Sequence, residues 1–199
     1  MKKLIPLLLC IAVTVCAAPT SPPVKEIEGR KPQQFFSCKF DRSGWSVAHY
    51  NHSKDYLVFE WTNQEPVTNW TELITGNIYF IDTEKVSAQR YASYFVDQIR
   101  PGSINFKVNA VVDTPDDVVL EWSHKGSGKW PAQREIVHFF RGKDAIYRLA
   151  YTVVETAFDK KKYETWLKNV ENARLVDIDQ SNSSTVQQSE ALPKFEGIK

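Results

Sequence analysis

Two β-type runs joined by a short polar turn occupy residues 134–154, which read REIVHFFRGKDAIYRLAYTVV. Both runs are rich in the branched and aromatic side chains that favour strands. The tripeptide Gly142-Lys143-Asp144 is typical of a tight connection between neighbouring strands. We therefore predict an antiparallel pair formed by residues 134–141 and 145–154.

The meander extends upstream of this pair. Apolar residues recur at every second position from Ile104 to Val112, with Asn105, Lys107 and Asn109 on the other face, and this period predicts a half-buried strand. The turn sequence Thr114-Pro115-Asp116-Asp117 then leads into a further strand, residues 118–124. Four consecutive strands with short links predict an antiparallel meander.

Two segments change to the helical period. Apolar residues fall three and four positions apart between about residues 84 and 99, and again after Asp159, a residue suited to cap a helix N-terminus. Two further strand-like runs precede the first helix, at residues 56–61 and 70–80, and residues 175–178 are compatible with a short last strand. The fold class is α+β: a single domain, residues 35–178, with an antiparallel meander flanked by two main helices.

The two ends of the chain differ from this domain. Lys2 and Lys3, the apolar run from Leu4 to Val15 and the small residues after it have the order of a cleavable signal peptide, with cleavage expected after Ala17. That run of about 12 residues is too short for a bilayer crossing, which predicts no stable membrane insertion. We expect a flexible proline-rich lead-in at residues 18–34, a disordered polar tail at residues 179–199, and an exported protein, periplasmic or extracellular.

Composition narrows the classes of partner. The 25 basic and 24 acidic residues nearly balance, so the net charge of the chain does not favour binding to nucleic acid or to an anionic membrane. No motif for a cofactor is recognisable. After signal cleavage Cys38 is the one remaining cysteine, and it is either a buried apolar residue, a reactive thiol or an intermolecular bridge.

The order of elements resembles the PsbP-like fold, shared by an extrinsic photosystem subunit and the Mog Ran-binding protein, over about residues 55–178. More locally, NWTELIT at 69–75 and RGKDAIYRLAY at 141–151 are similar to segments of uncharacterised exported proteins of Gram-negative bacteria. The resemblance implies an antiparallel sheet sandwiched by helices. The resemblance implies no activity. The binding motifs of those proteins are not recognisable in this sequence, so their partners are not implied either.

Several residue sets were weighed as chemical sites. His49 and His52 have a spacing compatible with a metal pair on a turn, but two ligands do not make a metal site. Ser123 and His124 are neighbours on a strand, where they point to opposite faces and cannot pair. His138 alternates with apolar residues, which predicts a hydrogen-bonded core histidine. We therefore predict neither a nucleophilic catalytic set nor a metal site.

Carboxylates on strands offer an alternative enzymatic hypothesis. Glu60, Glu72 and Glu121 would support acid/base hydrolysis if they converged on one sheet face. Lys160–Lys162 lie at the start of the second helix, where the helix dipole disfavours positive charge. We therefore expect these lysines either to be solvated or to bind an acidic partner.

Exposed aromatic residues are the best indication of binding. Trp122 and Trp166 fall at core positions, whereas Trp130 lies in a glycine-containing loop and is the best candidate for an exposed aromatic. That loop, with Lys125 and Lys129, either docks a partner or covers one end of the sheet. The predicted binding residues are Trp70, Glu72, Lys129 and Trp130. The leading hypothesis is an exported non-enzymatic binding or accessory protein with an unknown protein partner; the alternatives are a small carboxylate-dependent hydrolase and an envelope structural protein.

Overall fold

The computed structural model describes residues 30–39, 43–128 and 130–178. They form nine strands and two helices, together with two short 3₁₀ turns at Arg100–Gly102 and Glu155–Ala157. In chain order these elements are β1 (Gln34–Ser37), β2 (Ser46–His52), β3 (Tyr56–Thr62), β4 (Glu72–Tyr79), α1 (Ala88–Ile99), β5 (Lys107–Asp113), β6 (Asp117–His124), β7 (Gln133–Arg141), β8 (Ile146–Val154), α2 (Lys160–Glu171) and β9 (Arg174–Asp177).

Seven strands form one antiparallel sheet in the order β2-β3-β4-β8-β7-β6-β5, and β1 pairs with β9 in a separate two-stranded sheet. The predicted meander is confirmed, because β5, β6, β7 and β8 are consecutive neighbours. The predicted tight turn is also confirmed, since the Gly142 amide donates to the Ala145 carbonyl at 2.9 Å. These residues thus form a single α+β domain.

The two faces of the large sheet carry different helices. Val137, Phe139 and Ala150 point to one face and pack against Ala88, Ala92 and Val96 of α1; we call it the α1 face. Ile136, Leu149 and Tyr151 point to the other face, the α2 face, and pack against Tyr163, Trp166 and Val170 of α2 together with Phe36 of β1. Every residue of the central strand β8 is buried, which requires cover on both faces.

Helix α2 begins and docks as the sequence predicts. The Asp159 carboxylate accepts from the Lys162 amide at 2.7 Å and caps the N-terminus. The Trp166 ring stacks on Tyr151 with centroids 4.5 Å apart. At the other end of the helix the Val170 carbonyl lies 2.7 Å from Nδ1 of His138, whose Nε2 bonds to Asp117. His138 is 1 % exposed, so its prediction as a hydrogen-bonded core histidine is confirmed.

Helix α1 begins later than predicted. The helix was expected from about residue 84, but residues 83–85 form a turn and the first helical residue is Ala88. Ser87 caps it by accepting from the Arg90 amide at 3.1 Å. The helix therefore starts after Ser87, the capping residue, which lies within the range that was predicted to be helical.

The prediction of a half-buried strand from Ile104 to Val112 is wrong in two respects. Ile104 precedes β5 and is 60 % exposed, while Asn105 adopts φ +53° in the turn between them. The pairing of β5 with β6 also shifts between Ala110 and Val112, which interrupts the alternation. Six of the seven residues of β5 are exposed because it is an edge strand with one neighbour.

Two strands were not predicted. β1 starts at Gln34, inside the expected lead-in, and pairs with β9, the short last strand expected near residues 175–178. β2 covers His49 and His52, which were expected on a turn. The signal peptide, residues 18–29 of the lead-in and the tail all lie outside the described residues. No helix in the described ranges has the length and apolar character needed to cross a membrane.

Close packing at the β7–β8 turn predicts a stability defect. A Cβ atom at position 142 would lie 2.3 Å from Cε2 of Tyr147, a fully buried ring that donates to Asp144 at 2.8 Å. We expect Gly142→Ala to lower the free energy of unfolding by about 2 kcal/mol through overpacking. Urea denaturation measures this, with Gly102→Ala as the control because no atom lies within 4 Å of its Cβ position. Equal stability of the two variants would contradict the packing described.

Candidate binding surface at one end of the sheet

Two loops are joined by hydrogen bonds at the end of the sheet where β6 ends and β7 begins. The Ile104 amide donates to the Gly126 carbonyl at 2.8 Å, and the Lys125 amide donates to the Ile104 carbonyl at 2.8 Å. Ser127 and Trp130 exchange two backbone bonds of 3.0 and 2.7 Å. Gly126 has φ +124°, a conformation that L side chains rarely adopt. Backbone hydrogen bonds therefore connect the two loops at Ile104, Lys125 and Gly126.

These joined loops expose two large apolar side chains. Trp130 is 56 % exposed and Ile104 is 60 % exposed, which confirms the predicted exposure of Trp130. By contrast, Trp61, Trp122 and Trp166 are each 6 % exposed. Burying an exposed apolar side chain against a partner is favourable, so Trp130 and Ile104 are a candidate contact site.

Glu155 holds two cations at the same end of the sheet. Its carboxylate accepts from Arg134 at 3.0 and 3.2 Å and from Lys125 at 3.0 Å. These hydrogen bonds, the one from Arg134 foremost, lower the pKa of Glu155 below its usual value. The Arg134 guanidinium also lies 4.4 Å from the ring centroid of Phe158. Glu155 thus ties the β6–β7 loop to the segment that enters α2.

Two more cations lie near this end of the sheet, on opposite faces. The Arg100 guanidinium lies 5.7 Å from the centroid of the Phe106 ring on the α1 face, and that ring stacks on the buried Trp122 at 6.0 Å. Lys107 is exposed at the first position of β5 and pairs with Ser123, so it points to the α2 face. We define the Trp130 surface as Ile104, Lys125 and Trp130.

The predicted binding residues have different outcomes. Trp70 is half-buried in the segment before β4, at the same end of the sheet as Trp130, since the Val154 amide bonds to Thr71 and the Glu155 amide to Ala132. Lys129 lies outside the described residues. The structure therefore brings the Trp70 and Trp130 loops to one end, separated by the end of β8.

Glu72 is not available to a partner. It is 6 % exposed, and its carboxylate accepts from the Tyr151 hydroxyl at 2.7 Å and from Lys162 Nζ at 2.5 Å. Glu72, one of the predicted binding residues, thus ties the first turn of α2 to β4. Of the three lysines at the start of α2, Lys162 therefore forms an ion pair with a carboxylate of its own chain.

The three carboxylates weighed for hydrolysis do not converge. Glu60 pairs in register with Thr75 and points to the α1 face, whereas Glu72 and Glu121 point to the α2 face. Between Glu72 and Glu121 there are three interstrand steps, about 14 Å in all. Two catalytic carboxyls that act on one glycosidic bond lie less than about 10 Å apart, so this set does not form an acid/base pair.

The histidine sets are likewise separated. In β2, His49 pairs with Glu60 and His52 with Leu57, which places them on opposite faces of the sheet. Ser123 and His124 also point to opposite faces, as predicted. Among the described residues no cluster of three or more His, Cys, Asp or Glu side chains is arranged to hold a metal ion.

A buried polar network under α1 was missed by sequence reasoning. Glu135 accepts from Trp122 Nε1 at 2.9 Å, from Arg148 at 2.7 Å and from Thr152 at 2.8 Å. Arg148 also donates to Asn77 at 2.7 Å, and its guanidinium lies 5.0 Å from the ring centroid of Phe95. Three side chains donate to the Glu135 carboxylate, so the network links neighbouring strands and does not present a carboxyl group for acid catalysis. Glu135 lies opposite Thr152 and Arg148 opposite Phe139, so no local sequence pattern indicates that the two charges meet.

Cys38 is a core residue. It is 4 % exposed, its Sγ donates to the Asn169 carbonyl at 3.3 Å, and burial raises the pKa of its thiol to about 12. The expectation of a buried apolar cysteine is confirmed, and the thiol is neither exposed nor ionised as a reactive cysteine would be.

A groove lies on the α1 face of the sheet. It has a volume of about 500 Å³ and lies between α1 and β5. Its apolar lining includes Val96, Val108 and Leu120. Its charged lining is balanced, since Arg90 and Arg100 are accompanied by Asp97 and Asp113.

Comparison with known proteins identifies no relatives: no protein-family model matches the chain, and no curated protein matches it significantly.

The buried network predicts a large effect from removing one charge. Because Arg148 is 8 % exposed, Glu135→Gln leaves a guanidinium without its anion, and we expect a loss of about 3 kcal/mol in the free energy of unfolding. The double variant Glu135→Gln/Arg148→Met is expected to recover part of this loss. Urea denaturation is the measurement. The exposed pair Lys160–Glu164, 3.8 Å apart, supplies the control, since Glu164→Gln should leave stability unchanged.

The lowered pKa of Glu155 predicts acid sensitivity of the Trp130 end. A carboxyl whose pKa is depressed by folding binds fewer protons in the folded state, so stability falls as the pH drops below the usual value of 4.5 towards the folded pKa. We expect the protection factors of the amides at residues 125–128, measured by hydrogen exchange relative to the intrinsic rate at each pH, to fall over this range. Glu155→Gln should remove that pH dependence, and an unchanged profile in the variant would refute the assignment to Glu155.

Proposed function

We propose that this chain is an exported, non-enzymatic binding or accessory protein that engages a partner protein through the Trp130 surface. The observation that carries the proposal is the exposure of Trp130 and Ile104 on loops fixed by hydrogen bonds. Interface hot spots are enriched in tryptophan and arginine, and a rigid surface loses little conformational entropy when it binds.

The remaining chemistry supports binding over catalysis. The carboxylates considered for hydrolysis are separated between faces, and the most buried carboxylate, Glu135, is saturated with donors. No observation favours hydrolysis or a purely structural role in the envelope. Export is part of the proposal and rests on the N-terminal sequence pattern alone.

The likeness to the PsbP-like fold is also part of the proposal. Its support is an antiparallel sheet with α1 on one face and α2 on the other, in the chain order that the resemblance implies. Such a scaffold covers its central strands on both faces and leaves the loops at the sheet ends free to contact partners.

Site-specific photocrosslinking tests the proposal. A photoreactive phenylalanine analogue is placed at position 130, and in a second variant at Tyr94, which is 58 % exposed on α1 and so matches Trp130 in accessibility. In the cells that export the protein, we expect a discrete crosslinked protein from position 130 and none from position 94. The same products from both positions, or none from position 130, would refute the Trp130 surface as the contact site.

A further inference from the structure

His138 lies beneath the last turn of α2, and both of its ring nitrogens face oxygen atoms. Nδ1 is 2.7 Å from the Val170 carbonyl, and Nε2 bonds to a carboxylate oxygen of Asp117. A carbonyl oxygen and an ionised carboxylate only accept hydrogen bonds. Each ring nitrogen must therefore carry a hydrogen for both bonds to form, and a histidine ring with two N–H groups is the charged imidazolium.

We propose that His138 is a pH-sensitive latch: its imidazolium form ties the C-terminal end of α2 to the sheet, and its neutral form releases that end. A neutral ring carries one hydrogen and keeps only one of the two bonds. The charged carboxylate of Asp117 is the stronger acceptor, so the bond lost with the proton is the one to Val170. This inference goes beyond the proposed function and does not depend on the Trp130 surface.

The surroundings of the ring favour its charged form. Burial alone disfavours an imidazolium, and His138 is 1 % exposed. Against this, Asp117 supplies a negative counter-charge in direct contact. Val170 lies in the last turn of α2, where the helix dipole favours a cation. The Phe140 ring stacks on His138 with centroids 3.6 Å apart, and the face of an aromatic ring attracts positive charge.

The other groups packed around the ring do not compete for this proton. Within the described residues Asp117 is the charged side chain that bonds to it. Its register neighbours on β6 and β8 are Val119 and Leu149, which are apolar and buried. In the last turn of α2 the charged residues Lys168 and Glu171 are exposed to solvent. The protonation of the latch is therefore set by the histidine and its one carboxylate.

Release of this helix end would loosen the segment that follows it. β9 begins three residues after α2 ends and pairs with β1. Cys38, the residue after β1, donates to the Asn169 carbonyl, and burial raises the pKa of its thiol to about 12, so this contact does not change near neutral pH. Tyr163 and Trp166 pack on the sheet earlier in the helix. The loosening is therefore confined to the end of α2 and the two-stranded sheet.

The protonation of the ring is measured directly by NMR. The full chain, as isolated from cells grown with ¹⁵N-labelled histidine, is observed at pH 7.5, and we expect His138 to carry a hydrogen on both ring nitrogens. His124 is the internal reference for a neutral ring, because its Nδ1 accepts from the Gly126 amide at 2.8 Å and burial lowers its pKa. A nitrogen without hydrogen on His138 at this pH overturns the proposal.

The pH dependence of stability follows from the same proton. A histidine in the unfolded chain loses its proton near pH 6.5, so above that pH the folded chain holds one proton more and its stability falls as the pH rises. We expect the unfolding equilibrium constant, from urea denaturation, to rise by up to about tenfold per pH unit from pH 6.5 to pH 8. Protection factors of the amides at residues 173–177, corrected for the intrinsic exchange rate, should fall over the same range.

Asp117→Asn separates the proton from the hydrogen bonds. An asparagine amide donates to a neutral Nε2 while Nδ1 keeps its hydrogen for Val170, so we expect this variant to fold and to lose the decline in stability. Asp116→Asn is the matched control and should keep the decline, because Asp116 is 65 % exposed and pairs instead with Arg141 at 2.9 Å. An equal decline in Asp117→Asn and in the unaltered chain would refute the assignment to His138.

Discussion

The pairing of β7 with β8 is the constraint on which the rest of the fold depends. These are the longest strands, nine residues each, and they lie side by side near the centre of the large sheet. Their side chains alternate between two faces, and nearly all are buried. Strands of this kind are stable only when apolar layers cover both faces. Helix α1 with its small residues covers one face, and α2 with Tyr163 and Trp166 covers the other.

Polar residues inside these layers fix which elements pack where. Glu135 and Arg148 pair across β7 and β8 under α1, and Glu72 binds Lys162 under the first turn of α2. His138 bonds to the last turn of the same helix. A shift of β7 against β8 by one residue would place Glu135 or Arg148 among apolar groups without its partner, which costs several kcal/mol. The polar pairs therefore disfavour the alternative registers that apolar packing alone tolerates.

The sequence predicted those parts of the fold whose signals are local. The period of α2, its Asp159 cap and the tight turn at Gly142 are each read from a few neighbouring residues, and the structure confirms them. β1 escaped prediction because its partner β9 lies about 140 residues away. β5 was misjudged because alternation does not reveal that a strand lies at the sheet edge. The contact of Glu72 with Lys162 was not predicted for the same reason, since Lys162 is 90 positions downstream. Trp130 was predicted to be exposed because a glycine-containing loop is itself a local signal.

The central strands are covered by helices, whereas the loops at the ends of the sheet are exposed, and this contrast directs the functional proposal to the loops. Helices occupy both faces of the central strands, and the edge strands β2 and β5 each contain a register shift that hinders the addition of another strand. At the ends of the sheet, side chains can be exposed to solvent without a role in core packing. At one of these ends the loops are fixed by Gly126, Ser127 and Glu155, yet they present a tryptophan more exposed than buried. An apolar ring on a hydrogen-bonded loop offers contact area to a second molecule at little cost in conformational entropy, and this is why the Trp130 surface carries the functional proposal.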